Sequence, residues 1–281
     1  MLNEREAESC YPGQFITIES HHSRLMDGNR MDSFKAAIQH RVFAGAKVLE
    51  LGGGTGVLSW FAAQTAARVY CVELNPEMAH EARRLLARNQ HGDRVDVIHA
   101  DAFDYLPPEP VDVLICDMIH VGMLREKQIE LLEDFKRRYL AKFGGPLPVF
   151  IPEAAVMAVQ PLQQNFDFSG YQAPIIQFQQ PGMFLADTLE LAQPALYSIL
   201  DFNETNDLHI GWEGQFTIEQ AGTVSALRFV TKNILAVLME SASTLDWRNP
   251  YMVLPLDVPL KVRAGDILEV RFQYQCGGSV A

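Results

Sequence analysis

Two carboxylates nine residues apart, Asp117 and Glu126, are the side chains of this 281-residue chain best placed by type and spacing to do chemistry. They bracket Asp117-Met118-Ile119-His120-Val121-Gly122-Met123-Leu124-Arg125-Glu126, which follows a short apolar run. Two convergent carboxylates can hold a cationic group through charge-assisted, bidentate hydrogen bonds and accept its proton. His120, between them, is a further candidate proton acceptor. Upstream stands a glycine loop, Glu50-Leu51-Gly52-Gly53-Gly54-Thr55-Gly56, and Glu73 follows 17 residues after Gly56. Glycines let the chain turn tightly and let a ligand lie against the backbone. Glu73 is about where a nucleotide-binding α/β fold puts a carboxylate for ribose hydroxyls. A phosphate-binding loop does not fit: Val57 stands where the third glycine of GxGxxG is needed, and no GxxxxGK[ST] is present. An acidic residue two places before Gly52 would also repel a pyrophosphate.

These residues need elements to position them. Lys47–Leu51 reads as a strand and Val57–Ala66 as a buried helix. Arg68–Glu73 is a second strand, and Asn75-Pro76 supplies an N-cap and first-turn proline for the helix that follows. Arg94–Ile98 and Val111–Cys116 are further strands, and Leu124 to Leu140 is a long amphipathic helix ending near Gly144. Lys136-Arg137-Arg138 reads as its solvated face. Strands alternating with helices predict an α/β, doubly wound parallel sheet whose strand ends line a ligand crevice. After Ile151-Pro152 the pattern changes. Residues 161–195 show no clear periodicity, and from His209 onward short apolar runs separated by turns predict an antiparallel β barrel or sandwich. The expected division is a helical segment over 1–40 closing on the cofactor, a sheet domain over 41–152 and a β-rich substrate domain over 153–281.

The acidic residue followed by a GxGxG-like loop resembles the first motif of the class I S-adenosylmethionine (SAM)-dependent methyltransferases. By that resemblance Glu50, Gly52, Gly54 and Gly56 belong to a loop contacting the methionine part of SAM. Glu73 would then serve the ribose, with Asp101 and Ala102 near the adenine. The two acids nine apart look like the double-acid loop of the protein arginine methyltransferases, and residues 21–30 are similar to that family's helix before the sheet, with His21, Leu25, Asp27 and Arg30 matching in spacing. The resemblance implies that Arg30 pairs with the SAM carboxylate and that Asp117 and Glu126 clamp the acceptor, with Met26, His120 and Trp247 on the acceptor side. It is specific over about residues 15–152. Three departures stand out: the first acid is Asp117 rather than glutamate, the family's Thr-His-Trp loop is represented by Leu245-Asp246-Trp247, and Phe15 lies where the family carries an aromatic hydroxyl. The implied activity is methyl transfer to a nitrogen of a cationic small-molecule, peptide or protein acceptor, in a possible homodimer; the alternatives are a small-metabolite O- or N-methyltransferase on the same scaffold and a non-catalytic SAM-binding protein.

Composition bounds the alternatives. The net charge is −12, from 35 acids and 23 bases, which disfavours unaided binding to a phosphate backbone, so nucleic acid is not an expected partner. Residues 1–152 hold 21 acids and 17 bases, and residues 153–281 hold 14 and 6, so the acidity concentrates in the β half. No apolar stretch is long enough to cross a membrane as a helix. The acidic start Met1–Glu8 is unlike a secretory signal. Cys10, Cys71, Cys116 and Cys276 form no CxxC pair, so neither a metal site nor a disulfide framework is expected, and a cytoplasmic setting is.

Overall fold

Capping side chains and turn glycines set the order of elements in residues 16–183 and 188–279, the part of the chain described by the computed structural model. Phe15 and Cys10 lie outside the described residues. Thr17 caps α1 (Ile18–Met26) through Ser20 N, and Asp27 caps α2 (Gly28–Arg41) through Arg30 N. Then follow β1 (Lys47–Leu51), α3 (Val57–Ala63), β2 (Arg68–Glu73), α4 (Pro76–Leu86), β3 (Val95–His99), β4 (Val113–Cys116), α5 (Gln128–Phe143) and β5 (Val149–Ile151). Asn75 caps α4 by accepting from Glu77 N and Met78 N, with Pro76 in its first turn. The five strands are all parallel, in the order β3-β2-β1-β4-β5. Val48, Leu49, Leu51, Leu114 and Ile115 are wholly or almost wholly buried, as parallel strands covered on both faces must be. The strand order reverses between β1 and β4, and open α/β sheets bind ligands beyond the carboxyl ends at such a point.

The β half contains β6 (Ala154–Gln164), β7 (Asp167–Phe168), β8 (Tyr171–Gln172), β9 (Gln177–Gln179), β10 (Thr188–Glu190), β11 (Ala195–Asp201), β12 (His209–Thr217), β13 (Gly222–Leu238), β14 (Ser243–Arg248), β15 (Tyr251–Val262) and β16 (Ile267–Gln275). Its pairing is antiparallel, as predicted. The long β13 pairs with β6, β14 and β15 in a seven-stranded sheet, β12 pairs with β16, and β7 with β8. One apolar cluster runs from Phe34, Leu49 and Phe135 through to Tyr197, Phe229 and Leu235, so both halves share a core. Arg41 at the end of α2 donates to Glu153 Oε1 (2.8 Å) and Val237 O (3.0 Å), tying the N-terminal helices to the start of the β half. No helix among the described residues is long and apolar enough to cross a membrane.

Three local readings change. The helix expected from Leu124 begins at Gln128, because Gly122, Met123 and Arg125 all have positive φ (68°, 55° and 58°), outside the right-handed helical region. Glu126 therefore sits in a loop before the helix rather than opening it. Residues 161–195 hold the short strands β7 to β10 and the start of β11. Lys136, read as solvated, is buried: its ammonium donates to Phe202 O (3.2 Å) and also to Glu204 O, pinning α5 to the turn after β11.

Candidate active site

The glycine loop leaves β1 hugging β2: the Gly52 and Gly53 amides both donate to Val72 O at 2.9 Å. That closeness dictates the residue type, since a Cβ on Gly53 would fall 2.2 Å from Cys71 Sγ. Gly56, at φ +78°, turns the chain into α3, and a Cβ there would press on Leu86. Glu73 is fixed by two backbone donors, Gly54 N to Oε2 and Asn75 N to Oε1, each at 2.8 Å. Asp101 follows β3 and accepts from Phe103 N at 2.9 Å, beside the buried Ala102. Glu50 is buried and accepts from Ser59 N (2.8 Å) and from the Ser59 hydroxyl, so it fastens α3 beneath the loop as well as lining the cleft. Burial, the dominant effect, pushes its carboxyl up to about 8.

A cleft of about 370 Å³, partly open to solvent, lies over the loop, with His21, Arg24, Arg30, Gly52, Gly54 and Asp117 among its walls. The His21 ring rests against Gly54, where a Cβ would come within 2.9 Å of it. Burial, with Arg24 and Arg30 nearby, lowers His21 to about 4, so the ring is neutral at pH 7.

Asp117 lines the cleft where β4 ends, Glu126 follows nine residues on, and both are buried. Asp117 accepts from Arg30 through Nε (3.0 Å) and Nη2, an ion pair carried by α2. Glu126 faces Arg24 of α1, with Nη2 3.9 Å from Oε1. Each acid thus meets a guanidinium from the N-terminal helices, and Arg30, expected at a donor carboxylate, pairs here with Asp117. Asp27, at the joint of α1 and α2, caps α2 and accepts from Trp247 Nε1 at 3.2 Å. Trp247 lies on β14 rather than in a loop, and its ring packs 6.3 Å from that of Phe34. Met26 ends α1 and is exposed. His120 is lowered to about 4, chiefly by burial, with Arg125 and Arg24 adding to the effect. Its Nδ1 lies 3.1 Å from Val121 O, a carbonyl that can only accept, so Nδ1 carries the proton and Nε2 the lone pair. Phe178 meets its ring edge-on at 5.8 Å.

The sequence reading missed what holds the acid loop. Thr231 on β13 accepts from Gly122 N at 2.8 Å, and Asn249 donates to Ile119 O at 3.3 Å. Asn233 supports Asn249 through a 2.7 Å hydrogen bond. On the other side, the segment after β16 adds two 2.8 Å bonds, Gly277 N to Met123 O and Arg125 N to Gly278 O. A signal existed: Phe229, Thr231, Asn233 and Leu235 occupy alternate, buried positions of one strand, so two polar side chains point into the core. Buried polar groups at inward positions need partners: the acid loop supplies that of Thr231, and Asn233 reaches the loop through Asn249.

Residues 48–142 match a family model described as a methyltransferase domain. The chain is 28% identical to an uncharacterized protein of Methanothermobacter thermautotrophicus, over 95% of this chain and 96% of that one. It is 30% identical to probable histone-arginine methyltransferase 1.3 of Arabidopsis thaliana over 73% of this chain, but spans 43% of the plant protein. The structure of protein arginine methyltransferase 10 of A. thaliana, in an open conformation, shares the fold with a TM-score of 0.75 at 19% identity, covering 91% of this chain and 87% of that one. A Trypanosoma brucei PRMT1 enzyme–prozyme complex with AdoHcy gives 0.73 at 21% identity, over 89% of this chain and 86% of that one. Fold, loop and matches define a class I, SAM-dependent methyltransferase. Within that class it is similar to the protein arginine methyltransferases.

The donor side fits that cofactor chemically. The Glu73 carboxylate, held by two amides, suits a ribose diol, Gly52 and Gly54 bring bare backbone to the cleft wall, and Arg30 offers a guanidinium for a carboxylate. Asp101 and Ala102 stand at the next strand end, within the same edge of the sheet.

Proposed function

We propose that the chain methylates a nitrogen of a cationic acceptor, a guanidino or amino group held between Asp117 and Glu126. The observation that carries this reading is that both acids are buried and each faces a guanidinium that lines the cleft, Arg30 for Asp117, which lines it too, and Arg24 for Glu126. A buried carboxylate without a cation is strongly unfavourable, so this pair demands positive partners, and an acceptor cation meets the demand. When bound, SAM supplies an electrophilic methyl group on a positively charged sulfur, which leaves as the neutral thioether. Arg30 would hold the donor carboxylate, releasing Asp117 to the acceptor. The acceptor nitrogen gains the methyl and gives up a proton to the Asp117 or Glu126 carboxylate, with the His120 Nε2 lone pair as a further acceptor on the same loop. The acid-rich β half favours approach of a cation.

Asp117→Asn and Glu126→Gln keep shape and remove charge. Each is expected to bind S-adenosylhomocysteine in calorimetry like the wild type, while turnover on guanidine and amine acceptors falls about 100-fold or more. Wild-type turnover in both variants would mean that the acids only support the loop.

A further inference from the structure

We infer that the acceptor carries a carboxylate as well as its cationic nitrogen, and that Arg24 reads that carboxylate. The inference rests on the acceptor reading above and narrows it to small amino or guanidino acids. Arg24 projects from α1 into the cleft that Asp117 also lines, and its side chain is about one-third exposed, 34%, whereas that of Arg30 is 6%. The two arginines are engaged differently. Arg30 makes close hydrogen bonds to Asp117, while Arg24 stops 3.9 Å from Glu126, beyond the N–H···O range of about 2.7–3.2 Å. Arg24 is thus near its acid without being tightly bound to it.

The charges then decide the substrate class. In the ligand-free protein Asp117 faces Arg30 and Glu126 faces Arg24, Arg125 adds a further positive charge acting on His120, and His21 and His120 are neutral at pH 7. A cationic nitrogen that takes Glu126 strips Arg24 of its counter-ion, and leaving a charged group unpaired in a partly desolvated cleft is costly. A carboxylate on the same acceptor removes that cost by exchanging partners: the acceptor nitrogen takes Glu126, and Arg24 takes the acceptor carboxylate in the bidentate geometry a guanidinium favours. Because Arg24 and Glu126 lie 3.9 Å apart, the acceptor's own charges need be only a few ångström from each other. A small amino or guanidino acid meets that condition, and an arginine inside a polypeptide does not. No bond-making step changes: the methyl still goes to nitrogen, and the proton to a carboxylate of the pair.

Matched acceptors test this: guanidinoacetate against ethylguanidine, and L-arginine against agmatine, each pair differing in the carboxylate. Binding to the S-adenosylhomocysteine-loaded protein is read by calorimetry, and transfer from labelled SAM by mass spectrometry. One charge-assisted pair predicts that the carboxylate member of at least one pair is preferred by about 10- to 100-fold in Kd and kcat/KM. Arg24→Gln is expected to erase the preference while binding S-adenosylhomocysteine like the wild type. Equal use of both members in each pair, preferential methylation of an arginine-containing peptide, or an Arg24→Gln variant that loses S-adenosylhomocysteine affinity instead would overturn the inference. A protein that binds S-adenosylhomocysteine but methylates neither members of these pairs nor any other guanidine or amine would refute the cationic-acceptor reading itself, and this inference with it.

Discussion

Thr231→Val removes one hydroxyl from a fully buried site and changes the side-chain shape little. That hydroxyl accepts the Gly122 amide at 2.8 Å, so the substitution leaves a buried N–H in the acid loop without its acceptor. Such an orphaned donor costs about 1–3 kcal/mol. At roughly 2–4 °C per kcal/mol for a domain of this order of size, Tm should fall by roughly 2–12 °C. Hydrogen bonds from Asn249 and Gly277 and to Gly278 still hold the loop, so it stays docked but less well fixed between Ile119 and Arg125. A shift approaching 1 Å in a positioned group can cost about 100-fold, and with those restraints left a drop of about 10-fold or more in kcat is expected. The glycine loop and Glu73 belong to other elements, so S-adenosylhomocysteine affinity should not change. Thr231→Ser, which keeps the hydroxyl, should restore turnover. The assays are thermal unfolding, calorimetry and turnover on the best guanidine or amine acceptor. A lower Tm with unchanged kcat would refute the reasoning, since the bond would then fasten the two halves together without positioning Glu126.

Other consequences are as direct. Arg30→Met leaves the buried Asp117 without its cation and should destabilise the fold by about 3–5 kcal/mol in urea unfolding, whereas Arg30→Met combined with Asp117→Leu should recover most of that loss; equal destabilisation in both would show that the pair is not coupled. The same Arg30 variant should weaken S-adenosylhomocysteine binding, and unchanged affinity would remove Arg30 from the donor site. Glu50 gives a pH signature. Its ordinary value is 4.5, and burial raises it to about 8 in the folded protein. Between those values the folded state keeps a proton that the unfolded state has lost, so this group makes stability fall as pH rises across that window. Glu50→Gln does not titrate, and its Tm should decline less than that of the wild type between pH 5 and pH 8; parallel curves would show that Glu50 ionises normally.

What the sequence made legible was local. The glycine run announces its turn because Gly52, Gly54 and Gly56 need positive φ, and Asn75-Pro76 announces α4 through its cap. Asp117 follows from β4 because a run of buried apolar residues must end at the sheet's ligand edge. The misplacement of Glu126 has a physical cause: apolar spacing from Leu124 onward looks helical, but the left-handed backbone at Met123 and Arg125 is held by partners more than a hundred residues away, and no local pattern contains them. Lys136 looks solvated on a local helical pattern, yet its ammonium is satisfied by carbonyls at Phe202 and Glu204, beyond the reach of any local pattern. The sequence motif offers Trp247 for the acceptor side but gives no sign that it is a strand residue whose indole N–H holds Asp27 and, through it, the joint between the helices that carry Arg24 and Arg30. Buried Thr231 and Asn233 are visible as polar interruptions of an alternating strand, yet only the folded chain shows that Thr231 meets the acid loop and that Asn233 holds Asn249, which bonds to it.

The central claim is that a methyl group goes to nitrogen on a cation held by the two acids. The most direct measurement is transfer of a labelled methyl from SAM to a panel of guanidines, amines, phenols and carboxylates, with the modified atom located by tandem mass spectrometry or NMR. The account predicts label on the nitrogen of guanidino or amino acceptors, with little or none when Asp117→Asn or Glu126→Gln replaces the wild type. Label found only on phenol or carboxylate oxygens, or undiminished in both variants, would contradict it.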